Sequence, residues 1–200
     1  MLFRSNIQDE LRLRKLASKD SKQLSPAQRE SSLLELRSFC EFRLREITAS
    51  ELNRDMKIMS LNDIEARAMA ELIKNHDTWD TMIDMPDRYA QTFRARMEKF
   101  GATKFEAQHK ADENYPIVAA ASICAKVTRD ARIAEIKTAV GFDFGSGYTS
   151  DEQTIAALND KAKFKLLKPY IRERWKTIQA LAQRKLFDGD DSVGESQNQE

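Results

Sequence analysis

Two hundred residues, 41% of them hydrophobic, are enough for one domain with a proper core and a short tail. The 33 basic and 32 acidic side chains leave a formal net charge of +1, which excludes a protein-wide basic field; any hold on a polyanion must come from local patches. Two cysteines far apart, two histidines, and neither a membrane-length apolar run nor a secretory signal argue against a disulfide framework, a Cys/His metal centre and a membrane span, so a cytoplasmic globular protein is expected.

The lead-in, residues 1–18, reads as helix-prone and strongly charged. Leu2, Phe3, Ile7, Leu11, Leu13 and Leu16 recur at helical rather than alternating spacing, so a central strand of the sheet is not expected there. Asp9-Glu10 is read as surface helix charge. A charged loop, Lys19–Leu24, follows. Ser25 as N-cap, Pro26 at the first helical position and Gln28 three residues after the cap form a capping-box signature. They predict a helix to about Phe39, with Leu33, Leu36 and Phe39 or Cys40 facing inward. Phe42, Leu44 and Ile47 suggest a short strand, and Glu51–Met56 a turn of helix. Asn62 is expected as the N-cap of a longer helix, in which Ile64, Ala68 and Leu72 recur at i, i+4 and i+8 beside Met69 and Ile73.

Residues 79–85 read as a strand stopped by Pro86, then a helix from about Asp87 to Phe100 with Tyr89, Phe93, Met97 and Phe100 as its apolar stripe and Gly101 as its end. Asp84 then lies at the carboxyl end of a strand, the edge where open α/β sheets place their chemistry, although such a residue also serves as a turn or cap. Lys104–Ala107 suggests a third strand. From His109 to Asp130 a polar half carrying Asp112 gives way to a helix that starts at Pro116 and is apolar on nearly every side, hence buried. Cys40 and Cys124, both in apolar helical runs, read as reduced core thiols. After Gly141 comes a Gly-rich loop, Phe142–Asp151, with Ser150 expected to cap the next helix and Gln153 at its third position. Successive amides in such a loop could cradle an anion. Lys161–Lys168 is basic, and Pro169 is expected to open a last helix with Ile171, Trp175, Ile178 and Ala182 on one face. Residues 188–200 are acidic and polar, and disorder is expected there.

The wording His109-Lys110-Ala111-Asp112-Glu113-Asn114-Tyr115-Pro116 resembles the type 2 ribonuclease H family in its archaeal and eukaryotic form. So do Asp20-Ser21-Lys22-Gln23-Leu24, the Leu61-Asn62 step, the turn after Asp84, the run Gly145-Ser146-Gly147-Tyr148-Thr149-Ser150-Asp151 and Arg172–Thr177. These motifs stand in the family's order over about Lys19 to Leu181. The resemblance implies an α/β, ribonuclease H-like mixed sheet flanked by helices, with a helical C-terminal extension. It implies Asp84 and Asp112 as catalytic ligands of Mg²⁺ or Mn²⁺. Ser21, Lys22, Asn62 and Tyr148 would bind substrate, with His109 and Lys110 near a phosphate or behind the ligands. The implied reaction is endonucleolytic cleavage of the RNA strand of an RNA–DNA hybrid, including ribonucleotides embedded in DNA.

The chain departs from the family pattern in two places. Thr149 replaces the Pro that stiffens the Tyr148 loop, and nothing before Lys19 matches the family's G-x-D-E-A-G-R-G opening, which supplies two further acidic ligands. The expected organisation is therefore a lead-in (1–18), a ribonuclease H-like domain lacking its first strands (19–187) and an acidic tail (188–200). The Phe42 strand is expected to make no ladder with the Asp84 strand. Two rival readings follow, a catalytically inactive module that binds hybrid and a helical interaction protein. Accessory subunits, and a nuclear location, belong to the eukaryotic form of the resemblance. Gln183–Phe187 is similar to a clamp-binding peptide but lacks its paired aromatics.

Overall fold

A computed structural model describes residues 2–5, 7–17, 24–74 and 80–180. They fall into two compact units, drawn from Met1–Ile47 with Ile58–Ala134 and from Thr48–Lys57 with Glu135–Glu200.

The first unit opens differently from the expectation. Leu2–Arg4 is a strand (β1), followed by a 3₁₀ turn over Ile7–Asp9 and a helix over Glu10–Leu16 (α1). β1 pairs antiparallel with Glu41–Arg43 (β2), Phe3 opposite Phe42. Helical spacing of Leu and Ile over the whole lead-in hid this strand, because three residues cannot display an alternation and their ladder partner lies some forty positions away. Between the two strands runs Pro26–Arg37 (α2), whose capping box is complete: Ser25 Oγ accepts from Gln28 N, and Gln28 Oε1 accepts from Ser25 N at 2.8 Å. Leu13, Leu33, Leu36 and Cys40 pack with Ala120 and Cys124 into one apolar cluster, flanked by Phe42. Burial raises both thiols, that of Cys124 to about 11, so each is a neutral core group.

A second cluster surrounds the other sheet. Leu61–Ile73 (α4) follows Ala49–Asp55 (α3), which belongs to the second unit. Then come Met82–Asp84 (β3), Ala90–Lys99 (α5) and Glu106–Gln108 (β4). β3 and β4 are parallel, with Met82 opposite Glu106 and Asp84 opposite Gln108. α4 and α5 supply Ala66, Ala70, Ile73, Phe93 and Met97 to the core over this pair, closed by Met85, Ala102 and Phe105. Phe93 meets Phe105 edge to face at 5.9 Å. The stripe read from the sequence is thus inward at Phe93 and Met97, whereas Tyr89 is exposed. Among the described residues the strands form two separate two-stranded sheets, and no ladder joins β2 to β3.

β4 runs into a short helix, Ala111–Asn114 (α6), and then Pro116–Val140 (α7), which passes from the first unit into the second. Ala120, Ile123 and Cys124 are fully buried, as the all-round apolar pattern required. Small Ala side chains let the α2 face lie close against it.

The second unit holds the end of α7, Glu152–Asn159 (α8), Lys161–Leu167 (α9) and a 3₁₀ turn over Lys168–Tyr170. Pro169 sits in that turn instead of opening a helix; helical structure resumes only at 176–180. Asn53 of α3 fastens this stretch, its Nδ2 donating to Ile171 O at 2.8 Å and its Oδ1 accepting from Glu173 N at 3.0 Å. No helix among the described residues is long and apolar enough to cross a membrane.

Candidate active site

Parallel pairing of β3 and β4 sends both chains out at the same sheet edge, one with Asp84 and the other, four residues after Gln108, with Asp112. Lys110 takes a left-handed conformation, φ 56°, which turns the chain sharply before α6. The turn brings the amide of Ala111 to Asp84, which accepts from it through Oδ1 at 3.1 Å. Asp112 is therefore attached to a residue bonded directly to Asp84. Asp84 is exposed and Asp112 half-buried, so both carboxylates keep access to water. Lys110 turns away, its Nζ donating to Glu113 at 3.0 Å, a bond that raises its pKa. His109 Nε2 lies 3.3 Å from the carbonyl of Arg88.

Asn62 is not the cap of α4. Ser60 is, with Oγ accepting from Asp63 N at 3.1 Å, and Asn62 falls within the first turn. A cap residue must be extended, and Ser60 is (φ −72°, ψ 159°). Asn62 is thereby free to reach outside its own helix, and its Nδ2 donates to Asp87 Oδ1 in the bend between β3 and α5. From the sequence Asp87 reads only as the start of a helix. It is a carboxylate with 4% exposure, and the signal that could have found it was an acidic residue just past a strand end with an Arg, Arg96, further along the same segment.

The Gly-rich loop belongs to the second unit, and its amides are already used. Gly145 N donates to Asp143 Oδ1 at 2.8 Å, Ser146 N to Asp151 Oδ2, and Gly147 N to Thr154 Oγ1 at 3.0 Å. Of the two readings open to such a loop, anion cradle or plain turn, the structure shows the turn: these amides are taken by the protein's own carboxylates and hydroxyl. Asp151, not Ser150, caps α8, because a carboxylate can bond Gln153 N forward with one oxygen and Ser146 N backward with the other. The hydroxyl and then the amide of Ser146 hold the Asp151 carboxyl down at about 2. Tyr148 stands exposed at the loop's tip.

Asp9 and Glu10 sit where the 3₁₀ turn meets α1, and Glu10 pairs along the helix with Arg14 at 2.7 Å, as surface charge should. Ser21, Lys22, Ala182, Gln183–Phe187 and the acidic tail lie outside the described residues. Among the described residues no three His, Cys, Asp or Glu side chains cluster as a metal site.

An α/β core with a small parallel sheet fits the ribonuclease H-like class of fold, and comparison with known proteins makes the class specific. The family model for ribonuclease HII matches residues 3–178. Ribonuclease HII of Archaeoglobus fulgidus is 38% identical over 180 residues, 90% of this chain and 87% of that protein. Its structure, solved in a PCNA:RNase HII complex, superposes with a TM-score of 0.80 at 37% identity, covering 93% of this chain and 89% of the other. Ribonuclease H2 of Pyrococcus horikoshii superposes with a TM-score of 0.72 at 31% identity, covering 90% and 87%. The chain belongs to the ribonuclease HII family, a family of type 2 ribonucleases H.

Proposed function

We propose that this protein is a divalent-metal-dependent endonuclease that cleaves the RNA strand of RNA–DNA hybrids, including ribonucleotides embedded in DNA, leaving a 5′-phosphate and a 3′-hydroxyl. The observation that carries the reading is the meeting of the Asp84 and Asp112 segments at one sheet edge through the Asp84–Ala111 bond. Hard, water-accessible carboxylates suit Mg²⁺ or Mn²⁺, and Mg²⁺ is commonly held by one or two carboxylates with water and substrate phosphate completing its shell. Asp84 and Asp112 would hold it. When bound, the metal supplies an activated water and charge stabilisation at the leaving oxygen.

The remaining roles fall to the chain's own residues. Asn62, at a helix N-terminus, presents its amide to a nucleic-acid strand. Ser21 and Lys22 would hold a phosphate, and Tyr148 would pack beside the sugar at the RNA–DNA junction. A local patch replaces the missing global field: Lys161, Lys163, Lys165, Lys168, Arg172, Arg174 and Lys176 are all exposed, with Glu173 as the one acid among them. A protein partner is proposed as well, since PCNA accompanies the Archaeoglobus relative in its structure.

The test is cleavage of a labelled RNA–DNA hybrid in Mg²⁺ or Mn²⁺, with Mn²⁺ affinity measured in parallel. Asp84→Asn and Asp112→Asn should each abolish cleavage and weaken Mn²⁺ binding. Full activity in either variant would remove the assignment; hybrid binding without cleavage by the unaltered chain would favour the inactive module.

A further inference from the structure

We infer that Asp87 is a positioning residue for Asn62, and that it ties the nucleic-acid contact of α4 to the strand end that carries Asp84. The inference rests on the role proposed for Asn62 above. Asp87 is buried to 4% exposure in a bend three residues after Asp84, with Pro86 restricting the backbone between them. Its two oxygens act differently. Oδ1 accepts from Asn62 Nδ2, which orients the Asn62 amide. Oδ2 lies 3.0 Å from Arg96 Nε, an ion-pair contact in which neither buried atom has an aligned hydrogen bond.

Arg96 closes the arrangement from the other side. Its Nη1 donates to Ser60 Oγ and to Asp63 Oδ1, both at 3.2 Å, so it grips the cap of the helix whose first turn contains Asn62. The Ser60 hydroxyl keeps the Asp63 carboxyl low, hence charged and available to Arg96. Asn62 is thus held in two ways: its backbone by the Ser60–Asp63–Arg96 cap, its side chain by Asp87. An amide with two N–H donors and one carbonyl, once one donor is spent on a buried carboxylate, can present its other donor and its oxygen in only one sense. A solvated Asn at the same place would sample several rotamers and lose affinity in being ordered.

A carboxylate buried against Arg96 also has a structural role, so the test must separate the two. Two paired variants remove both charges and so avoid an uncompensated buried ion. Asp87→Asn with Arg96→Met keeps an oxygen facing Asn62; Asp87→Leu with Arg96→Met removes it. With Arg96→Met common to both, the two pairs give up the Arg96 grip on Ser60 and Asp63 equally. Each pair is then made in the presence of Asn62 and with Asn62→Ala. Hybrid affinity is read by fluorescence anisotropy on a labelled RNA–DNA hybrid in EDTA, where no cleavage intervenes.

With Asn62 present, the Leu/Met pair should bind about tenfold more weakly than the Asn/Met pair, the loss expected of about one hydrogen bond to a charged phosphate. With Asn62→Ala the two pairs should bind alike. Equal affinities with Asn62 present, or a gap that persists without it, would overturn the inference. Failure of the unaltered chain to bind hybrid would instead overturn the function proposed above. The bond is then judged by the side-chain amide protons of Asn62 in NMR hydrogen exchange. Slow exchange in the Asn/Met pair and fast exchange in the Leu/Met pair supports it, and equal exchange refutes it.

Discussion

Gly145 offers a direct probe of the loop that presents Tyr148. Four described glycines have left-handed backbones, and three of them make the comparison: Gly101 at φ +87°, Gly141 at +79° and Gly145 at +78°. An added Cβ meets nothing within 4 Å at Gly101 or Gly141, whereas at Gly145 it overlaps Asp151 Oδ2 and comes within 3.0 Å of Asp151 Cγ. Alanine in the left-handed region costs about 1–2 kcal/mol. Against this, the stiffer unfolded chain returns about 0.4–1 kcal/mol. Gly101→Ala and Gly141→Ala should therefore each destabilise by roughly 1 kcal/mol, lowering Tm by about 2–4 °C in a chain of this size. Gly145→Ala carries the same backbone strain and must also push the Asp151 carboxylate off the amides of Ser146 and Gln153, so its Tm should fall by roughly twice as much or more. Thermal unfolding followed by circular dichroism measures all three. A carboxyl-carbon NMR titration should show Asp151 rising from about 2 toward the ordinary carboxylate range in Gly145→Ala alone. If Gly145→Ala melts with the other two and leaves that titration unchanged, Asp151 does not hold the loop as described.

Two further outcomes follow from the same physics. Because the folded-state pKa of Asp151 is depressed to about 2, its contribution to stability is complete above the unfolded value of about 4 and is lost as pH falls between them. Asp151→Asn should accordingly flatten the dependence of Tm on pH in that window, and an unchanged slope would count against the assignment. For the basic segment, replacing Lys161, Lys163 and Lys165 by Ala should weaken hybrid binding at low salt. The slope of log affinity against log salt should fall by just under one for each phosphate no longer neutralised, with anisotropy titrations from about 50 to 200 mM salt as the check. A slope equal to that of the unaltered chain would place the hybrid elsewhere.

Sequence alone determined the parts of this protein that depend on neighbours along the chain. The Ser25–Gln28 capping box, the inward Phe93 and Met97 of α5, the buried start of α7 and the place of Asp84 at a strand end all follow from contacts within three or four positions, where residue type and spacing state the geometry. Even the departures near helix starts were small. The caps fell at Ser60 instead of Asn62 and at Asp151 instead of Ser150, one or two positions from the expectation.

Tertiary structure decided the rest. The β1 strand exists because β2 pairs with it from across the first cluster, not because Leu2–Arg4 alternates. The Gly-rich loop cannot be an empty anion cradle, since Asp151 and Thr154 return along α8 to occupy its amides. Asp87 gained its role only when α4, α5 and the end of β3 met around it. In each case the energy lies in a bond between residues whose separation along the chain carries no periodic signal, so the partner becomes identifiable only once the core has brought the segments together.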